Sequence, residues 1–357
     1  MELNLLILDD DTMITESYKK SVNAFNLISS EYQFNCFISN TLSDALYLLT
    51  TKNINYAIVD LKLTNKQDGE TGNQLIEAIL SSFTIPTTII SGFTNDLKVD
   101  IEKIDFIKII DRAEANINDV LNEFCNLEKC GLTTVFSKDG KLNKIISNLF
   151  WNYISVDLIN SNYDITEDSL IRFTANYIKE YFTYDTNGMD LCVKPYEFYI
   201  MPPSSDKIQC GTILKYDECN YINLTPACDI SNDKTDYYQL IKIDSFENSR
   251  SILKEIFKSK REDKRQVAIR KLTSNSDALK YHFLPRYKNF PGGLINFQTV
   301  VSINKNDLKE CYCYGNVTGD FLKDITARFG MYFSRQGQPS LSDLKIISDD
   351  LEQYINE

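Results

Sequence analysis

The sequence predicts an α/β fold, in which a five-stranded, doubly wound parallel sheet at the amino terminus is followed by an α+β module. Short apolar runs alternate with helical patterns as far as residue 110, which is typical of a parallel sheet covered on both faces. A length of 357 residues suggests two or three domains. Residues 1–128 hold 9 Lys and Arg against 20 Asp and Glu, whereas the remainder holds 29 against 30. This asymmetry indicates two modules of different character.

The predicted strands of the first module are short and almost wholly apolar. They are Leu3–Leu8, Gln33–Ile38, Tyr56–Val59, Thr87–Ile90 and Phe106–Ile110. Helical spacing between them predicts helices at residues 12–28, Thr41–Leu49 and Gly72–Ser82, with Thr41 as an N-cap.

The pattern changes after the first module. Residues 139–184 favour helices, 193–246 favour strands, and 248–272 form a charged helix candidate. Strands are expected again around Pro291-Gly292-Gly293, and a helix is expected from Asp320, with a break at residues 337–339. The predicted domains are therefore a first module at 1–128, a helical connector at 129–190, and an α+β output or partner-binding module at 191–357.

The chain shows no apolar run of the ~18–20 residues that a membrane helix needs. The acidic start, MELNLLILDDD, is unlike a secretion signal, so we expect a cytoplasmic protein without membrane contact. The 9 Cys should then be thiols. Cys311 and Cys313 have no second pair and the chain has 1 His, which argues against a structural zinc site.

Polar residues lie on the predicted strands of the first module, mostly where a strand ends. Asp9, Asp10 and Asp11 follow the first strand, Asp60 the third and Ser91 the fourth, and Lys108 lies in the fifth. Ligands of open α/β sheets bind at the carboxyl ends of the strands. Clustered carboxylates repel each other unless a cation is present, and oxygen ligands suit Mg²⁺. A hydroxyl and an ammonium would stabilise a transferring phosphoryl group, for which Asp60 could be the nucleophile.

The segments LLILDDD, YAIVDLKL, TTIISGF and DFIKI together resemble the receiver domain of two-component response regulators, over about residues 1–125. The resemblance implies a flavodoxin-like fold, Mg²⁺ as cofactor and a histidine kinase as phosphodonor. It implies that Asp60 accepts the phosphoryl group. Asp9, Asp10, Asp60 and the backbone carbonyl of Lys62 would hold Mg²⁺. Ser91 and Lys108 would contact the phosphoryl oxygens. The resemblance assigns no role to Asp11, which we expect to be a solvated loop residue or a helix cap.

The sequence departs from the receiver pattern at several points. Ile109 follows Lys108 where the family usually has Pro, and Asp105 stands where the family has its switch aromatic. Ser91 and Lys108 are 17 residues apart, fewer than is usual, so the helix between them should be short or absent. The loop Leu61–Thr71 is longer than usual. We therefore do not expect the family's usual mode of receiver dimerisation.

The second module shows no helix-turn-helix pattern. Its basic residues between 250 and 272 are interrupted by acids, which favours a solvated helix face and makes nucleic acid an unlikely partner. Cys228 and His282 could form a nucleophile and base only if they met in space. Arg328 and Arg335 share a helix face and could bind an anion, although a salt bridge is the simpler expectation.

The segments NLTPACDI, YHFLP, GGLINFQ and ARFGMYFSRQGQP are similar to the carboxyl-terminal portion of uncharacterised receiver-containing proteins of bacterial anti-phage systems. The sequence therefore predicts a phosphorelay response regulator, not itself an enzyme, that signals to a protein partner or effector through a module that does not bind DNA. Two alternatives stay open. One is a transcription regulator with a DNA-binding element near residues 250–272, and the other is a carboxyl-terminal enzyme controlled by the receiver.

Overall fold

The computed structural model describes residues 1–63, 71–101, 104–160, 165–182, 193–259, 261–274, 280–335 and 344–352. The chain divides into two compact units, Met1–Asp190 and Leu191–Glu357. The helices of the predicted connector belong to the first unit. The far part of the loop after Leu61 and the expected break at residues 337–339 lie outside the described residues.

The first unit contains five parallel strands in the order β2-β1-β3-β4-β5, which confirms the predicted fold class. The strands are β1 (Glu2–Leu8), β2 (Gln33–Ser39), β3 (Tyr56–Val59), β4 (Thr87–Ser91) and β5 (Ile107–Asp111). The predicted bounds differ most at β5, which begins and ends one residue later than expected. This shift changes which residue of β5 lies at the functional edge.

Helices cover the sheet and continue beyond it. They are α1 (Thr12–Ile28), α2 (Leu42–Thr51), α3 (Gly72–Ser82), α4 (Ile117–Glu128), α5 (Leu132–Phe136), α6 (Lys141–Leu149), α7 (Ser155–Asn160) and α8 (Glu167–Tyr181). Asp11 caps α1 by accepting a hydrogen bond from the Met13 N–H at 2.8 Å. Thr41 caps α2 by accepting one from the Asp44 N–H at 3.1 Å. Both residues thus satisfy backbone donors that a helix start leaves unpaired.

Residues of the central strand β3 divide between two cores. Ala57 and Val59 pack beneath α2 and α3. Tyr56 and Ile58 pack on the opposite face with α1 and α4. Successive side chains of a strand point to opposite faces, so a four-residue apolar run fills both cores and places Asp60 just past the strand end.

The start of β3 is linked to helices α4 and α5 through a buried carboxylate. Glu128, at the end of α4, accepts hydrogen bonds from the Tyr56 hydroxyl at 3.1 Å and the Thr133 hydroxyl at 2.7 Å. The Thr84 hydroxyl donates to the carbonyl oxygen of Phe136 in α5 at 2.8 Å. The helix α5 is therefore fixed at the edge of the sheet opposite Asp60.

The second unit is built around an antiparallel sheet in the order β10-β11-β9-β8-β7-β12-β6, so the predicted α+β class is confirmed. Its strands are β6 (Tyr199–Ile200), β7 (Thr212–Tyr216), β8 (Cys219–Asn223), β9 (Tyr237–Asp244), β10 (Tyr281–Leu284), β11 (Gly293–Asn304) and β12 (Tyr312–Val317). Its helices are α9 (Ala227–Ser231), α10 (Arg250–Phe257), α11 (Glu262–Thr273), α12 (Gly319–Ser334) and α13 (Leu344–Glu352). Aromatic residues of α12 pack on one face of this sheet. None of the described helices has the length and apolar character that a bilayer crossing requires.

Candidate functional site

Three carboxylates meet at the carboxyl edge of the first sheet. Asp9 follows β1, Asp60 follows the neighbouring strand β3, and one carboxylate oxygen from each of Asp9, Asp10 and Asp60 lies within 4.8 Å of the others. Asp9 and Asp60 are only 2% and 5% exposed. Buried acids at this separation require a cation or a proton. The parallel register of β1 and β3 therefore produces the acidic group that the sequence predicts.

Among the described residues, the side-chain cation that contacts Asp9 and Asp60 is Arg112, which the sequence analysis missed. Its Nη2 donates to Asp9 Oδ2 at 2.8 Å and lies 2.9 Å from Asp60 Oδ2. Arg112 directly follows β5, and its backbone N–H donates to the carbonyl oxygen of Ser91 at 3.1 Å. The guanidinium thus lies between the two buried carboxylates and compensates their charge.

The electrostatics of the site are dominated by burial. The pKa of Asp9 is raised from 3.8 to about 6, chiefly by burial; Asp11 N–H and Arg112 act against this rise, and the neighbouring acids add to it. Burial lowers the pKa of Arg112, but Asp9 and Asp60 outweigh it and leave that pKa raised. Arg112 therefore keeps its charge, whereas Asp9 exchanges its proton in the neutral to mildly acidic range.

One oxygen of the central carboxylate is left for a ligand. Asp60 Oδ2 contacts Arg112, whereas Asp60 Oδ1 is buried and has no hydrogen-bond partner among the described residues. A buried acceptor without a partner is costly, so this oxygen is suited to a ligand that the protein takes up. Together with Asp9 and Asp10 it forms an all-oxygen donor set, which fits a hard divalent cation such as Mg²⁺.

Lys108 does not lie at this site, and its expected placement is corrected. In the register of β4 and β5, Lys108 pairs with Thr88, whereas Ser91 pairs with Asp111. Lys108 is therefore three residues short of the carboxyl edge, or about 10 Å along the strand. Its side chain is half exposed and forms an ion pair with Glu123 of α4.

A sequence signal for Arg112 was present. Asp9, Asp60 and Ser91 stand at or just past the ends of their strands, whereas two apolar residues, Ile109 and Ile110, follow Lys108. The first cation past the end of β5 is Arg112. Placing the strand end correctly would have identified it, because ligand-binding residues gather at the strand ends.

With Arg112 in the place of Lys108, the comparison with the receiver pattern involves different neighbouring residues and a different spacing. Ala113 follows Arg112, so proline is still missing, and Ile109 lies three residues before it, so the aromatic residue is missing too. The separation from Ser91 becomes 21 residues. The described part of that segment contains one 3₁₀ turn at Thr94–Asp96, which confirms that a full helix is not formed there.

Ser91 and Lys62 both lie near the acidic edge. Ser91 is fully buried, and its hydroxyl oxygen accepts a hydrogen bond from the Phe93 N–H at 3.2 Å. That hydroxyl keeps its own proton to donate. The Lys62 ammonium lies 3.9 Å from the centroid of the Phe93 ring, a cation–π contact. The role expected for the Lys62 carbonyl stays a prediction.

Gly72 allows α3 to approach the backbone of the central acid. A Cβ at this position would lie 1.9 Å from the Asp60 carbonyl oxygen. The Gly72 N–H donates to the Leu61 carbonyl at 3.0 Å. The start of α3 therefore fixes the segment that carries Asp60, and only glycine fits this contact.

The second unit does not form the catalytic pair that the sequence left open. Cys228 is exposed and contacts its neighbour Asp229 at 3.7 Å. His282 is buried in β10, 3.6 Å from Asp324, and burial together with the charge of Arg328 lowers its pKa to about 3. These residues have separate surroundings.

Other candidates of the second unit have local partners. Arg335 stacks over Tyr332, at 5.4 Å. Cys311 and Cys313 have their sulfurs 3.9 Å apart. In the described part of the chain, the group of three or more possible metal ligands is the acidic one of the first unit, and no cysteine belongs to it.

The basic segment of the second unit forms two helices, α10 and α11, with charges partly paired within the segment. Arg261 bonds Asp263 at 2.7 Å, and Arg265 lies 3.7 Å from Glu262. Such local pairs reduce the positive field available to a phosphate backbone.

Comparison with known proteins found no matching family model and no matching curated protein. Similar solved structures include the receiver domain of a CheY-like response regulator from Methanospirillum hungatei, at 21% identity and TM-score 0.26, with 36% of this chain and 94% of that one covered. The receiver domain of Francisella response regulator 1452 shares 17% identity at TM-score 0.27, with 36% and 98% covered. A Burkholderia pseudomallei response regulator, solved with a phosphorylated aspartic acid and a calcium ion, shares 14% identity at TM-score 0.26, with 50% and 92% covered.

Proposed function

We propose that the chain is a response regulator whose Asp60 accepts a phosphoryl group from a histidine kinase. The observation that supports this is the buried Asp60 carboxylate at the end of the central strand, with Oδ1 lacking a hydrogen-bond partner among the described residues. Asp9, Arg112 and Ser91 lie at the ends of neighbouring strands. A carboxylate in such a setting is suited to nucleophilic attack on phosphorus.

The chain's own residues supply most of what the transfer needs. A carboxylate oxygen of Asp60 forms the new bond to phosphorus, while the bond from phosphorus to the kinase imidazole nitrogen breaks and that nitrogen keeps the electron pair. Arg112 offers N–H donors to the oxygens of the transferred group, and Ser91 offers its hydroxyl proton. Asp9 and Asp10, with Asp60, would hold Mg²⁺, which when bound neutralises negative charge on the phosphoryl oxygens.

The expected output runs through residues 191–357 to a protein partner or effector, and this stays a proposal, as does a role in anti-phage defence. The paired charges of α11 support a protein partner over nucleic acid. A mobility-shift assay with duplex DNA over a salt series tests the transcription-regulator alternative, since phosphate contacts give a steep salt dependence.

The central test is labelling of the full chain. Incubation with a small-molecule phosphodonor and Mg²⁺ should add one phosphoryl group, detected by intact mass and removed by hydroxylamine, as expected of an acyl phosphate. Asp60→Asn should abolish the label. The matched control is Asp11→Asn, because Asp11 is a nearby acid outside the metal-ligand group and Asn also caps a helix.

Further variants separate the two candidate cations. Lys108→Ala should leave labelling unchanged, because Lys108 pairs with Glu123 away from the site. Arg112→Ala should change the rate or yield of labelling. Persistent labelling of Asp60→Asn would contradict the proposed function. Loss of labelling in Asp11→Asn while Asp60→Asn is still labelled would contradict it too.

A further inference from the structure

The position of the Arg112 guanidinium conflicts with simultaneous metal binding by Asp9 and Asp60. We propose that Arg112 competes with the divalent cation, so that Asp9 and Asp60 coordinate Mg²⁺ more weakly while the guanidinium bridges them. This inference rests on the proposed function, because it concerns the same site, and it assigns to Arg112 a control over metal affinity.

The geometry supports competition at the level of single atoms. One nitrogen, Arg112 Nη2, lies 2.8 Å from Asp9 Oδ2 and 2.9 Å from Asp60 Oδ2, which is the place of a bridging cation. The other oxygen of Asp9, Oδ1, accepts the Asp11 N–H at 2.9 Å. Both oxygens of Asp9 are therefore already engaged. A metal ion that binds Asp9 has to displace a donor or share an oxygen with one.

Charge acts in the same direction. The guanidinium already compensates part of the charge of the buried pair Asp9 and Asp60. A second cation beside the guanidinium is repelled by it, and solvent and salt screen this repulsion only weakly at a buried site. Mg²⁺ gives up its water reluctantly and needs carboxylates at about 2.0–2.1 Å in near-octahedral geometry. Asp60 Oδ1 remains open to it, but the position between the two Oδ2 atoms is held by Arg112.

Arginine makes this competition stronger than lysine would. A guanidinium cannot lose its proton in a protein, so Arg112 can vacate the site only by moving. Its side chain is 30% exposed, whereas the carboxylates are buried, so it has a route toward solvent. The released guanidinium stays close enough to meet a phosphoryl group on Asp60, because its backbone is fixed to Ser91.

The test is direct Mg²⁺ binding by isothermal titration calorimetry on the full chain. Arg112→Ala and Arg112→Gln should both bind Mg²⁺ about 5- to 150-fold more tightly than the wild type, the usual range for coupling between two ligands. Arg112→Gln removes the charge but retains one N–H₂ donor on a shorter polar side chain, so it serves if the alanine variant does not fold. The matched control is Arg172→Ala, which removes the same charge from an exposed position in α8 and should leave the affinity unchanged.

Unchanged or weaker Mg²⁺ binding in the Arg112 variants, including no measurable binding in any protein, would overturn the inference. A second measurement uses the wild type alone: the NMR resonances of the Arg112 guanidinium should shift on addition of saturating Mg²⁺, and their invariance would equally overturn it. Labelling of Asp60 is measured separately. Failure of labelling with intact competition rejects the phosphoacceptor role, whereas labelling without competition rejects only the role of Arg112.

Discussion

Replacing Asp9 by Asn should change how the stability of the metal-free protein depends on pH. Burial raises the pKa of Asp9 from 3.8 to about 6 in the folded chain. The folded pKa lies above the unfolded one, so the folded state holds the proton more tightly. The resulting stabilisation is fully present below about pH 4 and is lost as the pH rises through about 6.

The size of the effect follows from the shift. About two pKa units correspond to about 3 kcal/mol over the whole titration, so the wild type should lose about 2.5 kcal/mol relative to Asp9→Asn between pH 4 and pH 7. Asn can accept through only one oxygen, whereas Asp9 accepts from both Asp11 N–H and Arg112. That loss costs about 1 kcal/mol at every pH. The variant should therefore be less stable than wild type at pH 4 and more stable at pH 7.

The assay is urea unfolding in EDTA at pH 4, 5, 6 and 7. Unfolding is followed by far-UV circular dichroism, because Trp151, the only tryptophan of the chain, is already 70% exposed in the folded protein. Asp11→Asn is the control, since it neutralises a nearby acid that caps a helix. If wild type and Asp9→Asn show parallel pH dependences, or if the wild type gains stability relative to the variant as the pH rises, the account of Asp9 is wrong.

Two further substitutions test how the site is supported. Gly72→Ala should lower the free energy of unfolding by about 3 kcal/mol or more and reduce labelling of Asp60, because the new Cβ would lie 1.9 Å from the Asp60 carbonyl oxygen. Urea unfolding measures the stability and intact mass measures the labelling. A neutral effect would show that α3 shifts freely. Tyr56→Phe should lower the free energy of unfolding by about 1–3 kcal/mol, because it removes a hydrogen-bond donor to the buried Glu128, and labelling of Asp60 should stay normal. A loss of stability below ~0.5 kcal/mol would show that this hydrogen bond is dispensable.

Much of the first unit could be predicted from the sequence, for identifiable reasons. Apolar runs such as Tyr56–Val59 are buried on both faces, and their length and spacing are typical of parallel strands. Acids directly after two such runs must come close, because neighbouring parallel strands end at one edge. The proximity of Asp9 and Asp60 could be predicted from this rule. Thr41 could be recognised because a local side-chain cap depends on its nearest neighbours along the chain.

Only the tertiary structure decided which cation reaches the acids. Lys108 and Arg112 lie four residues apart in one segment, and the choice between them depends on where β5 ends against β4. That register is set by long-range pairing and packing, which the local pattern Ile107–Ile110 leaves ambiguous. The two carboxylates that contact one nitrogen of Arg112 lie 52 and 103 positions before it in the chain, so their geometry belongs to the folded sheet. The sequence by itself determined that acids gather at this edge, and the fold determined that a guanidinium lies between them.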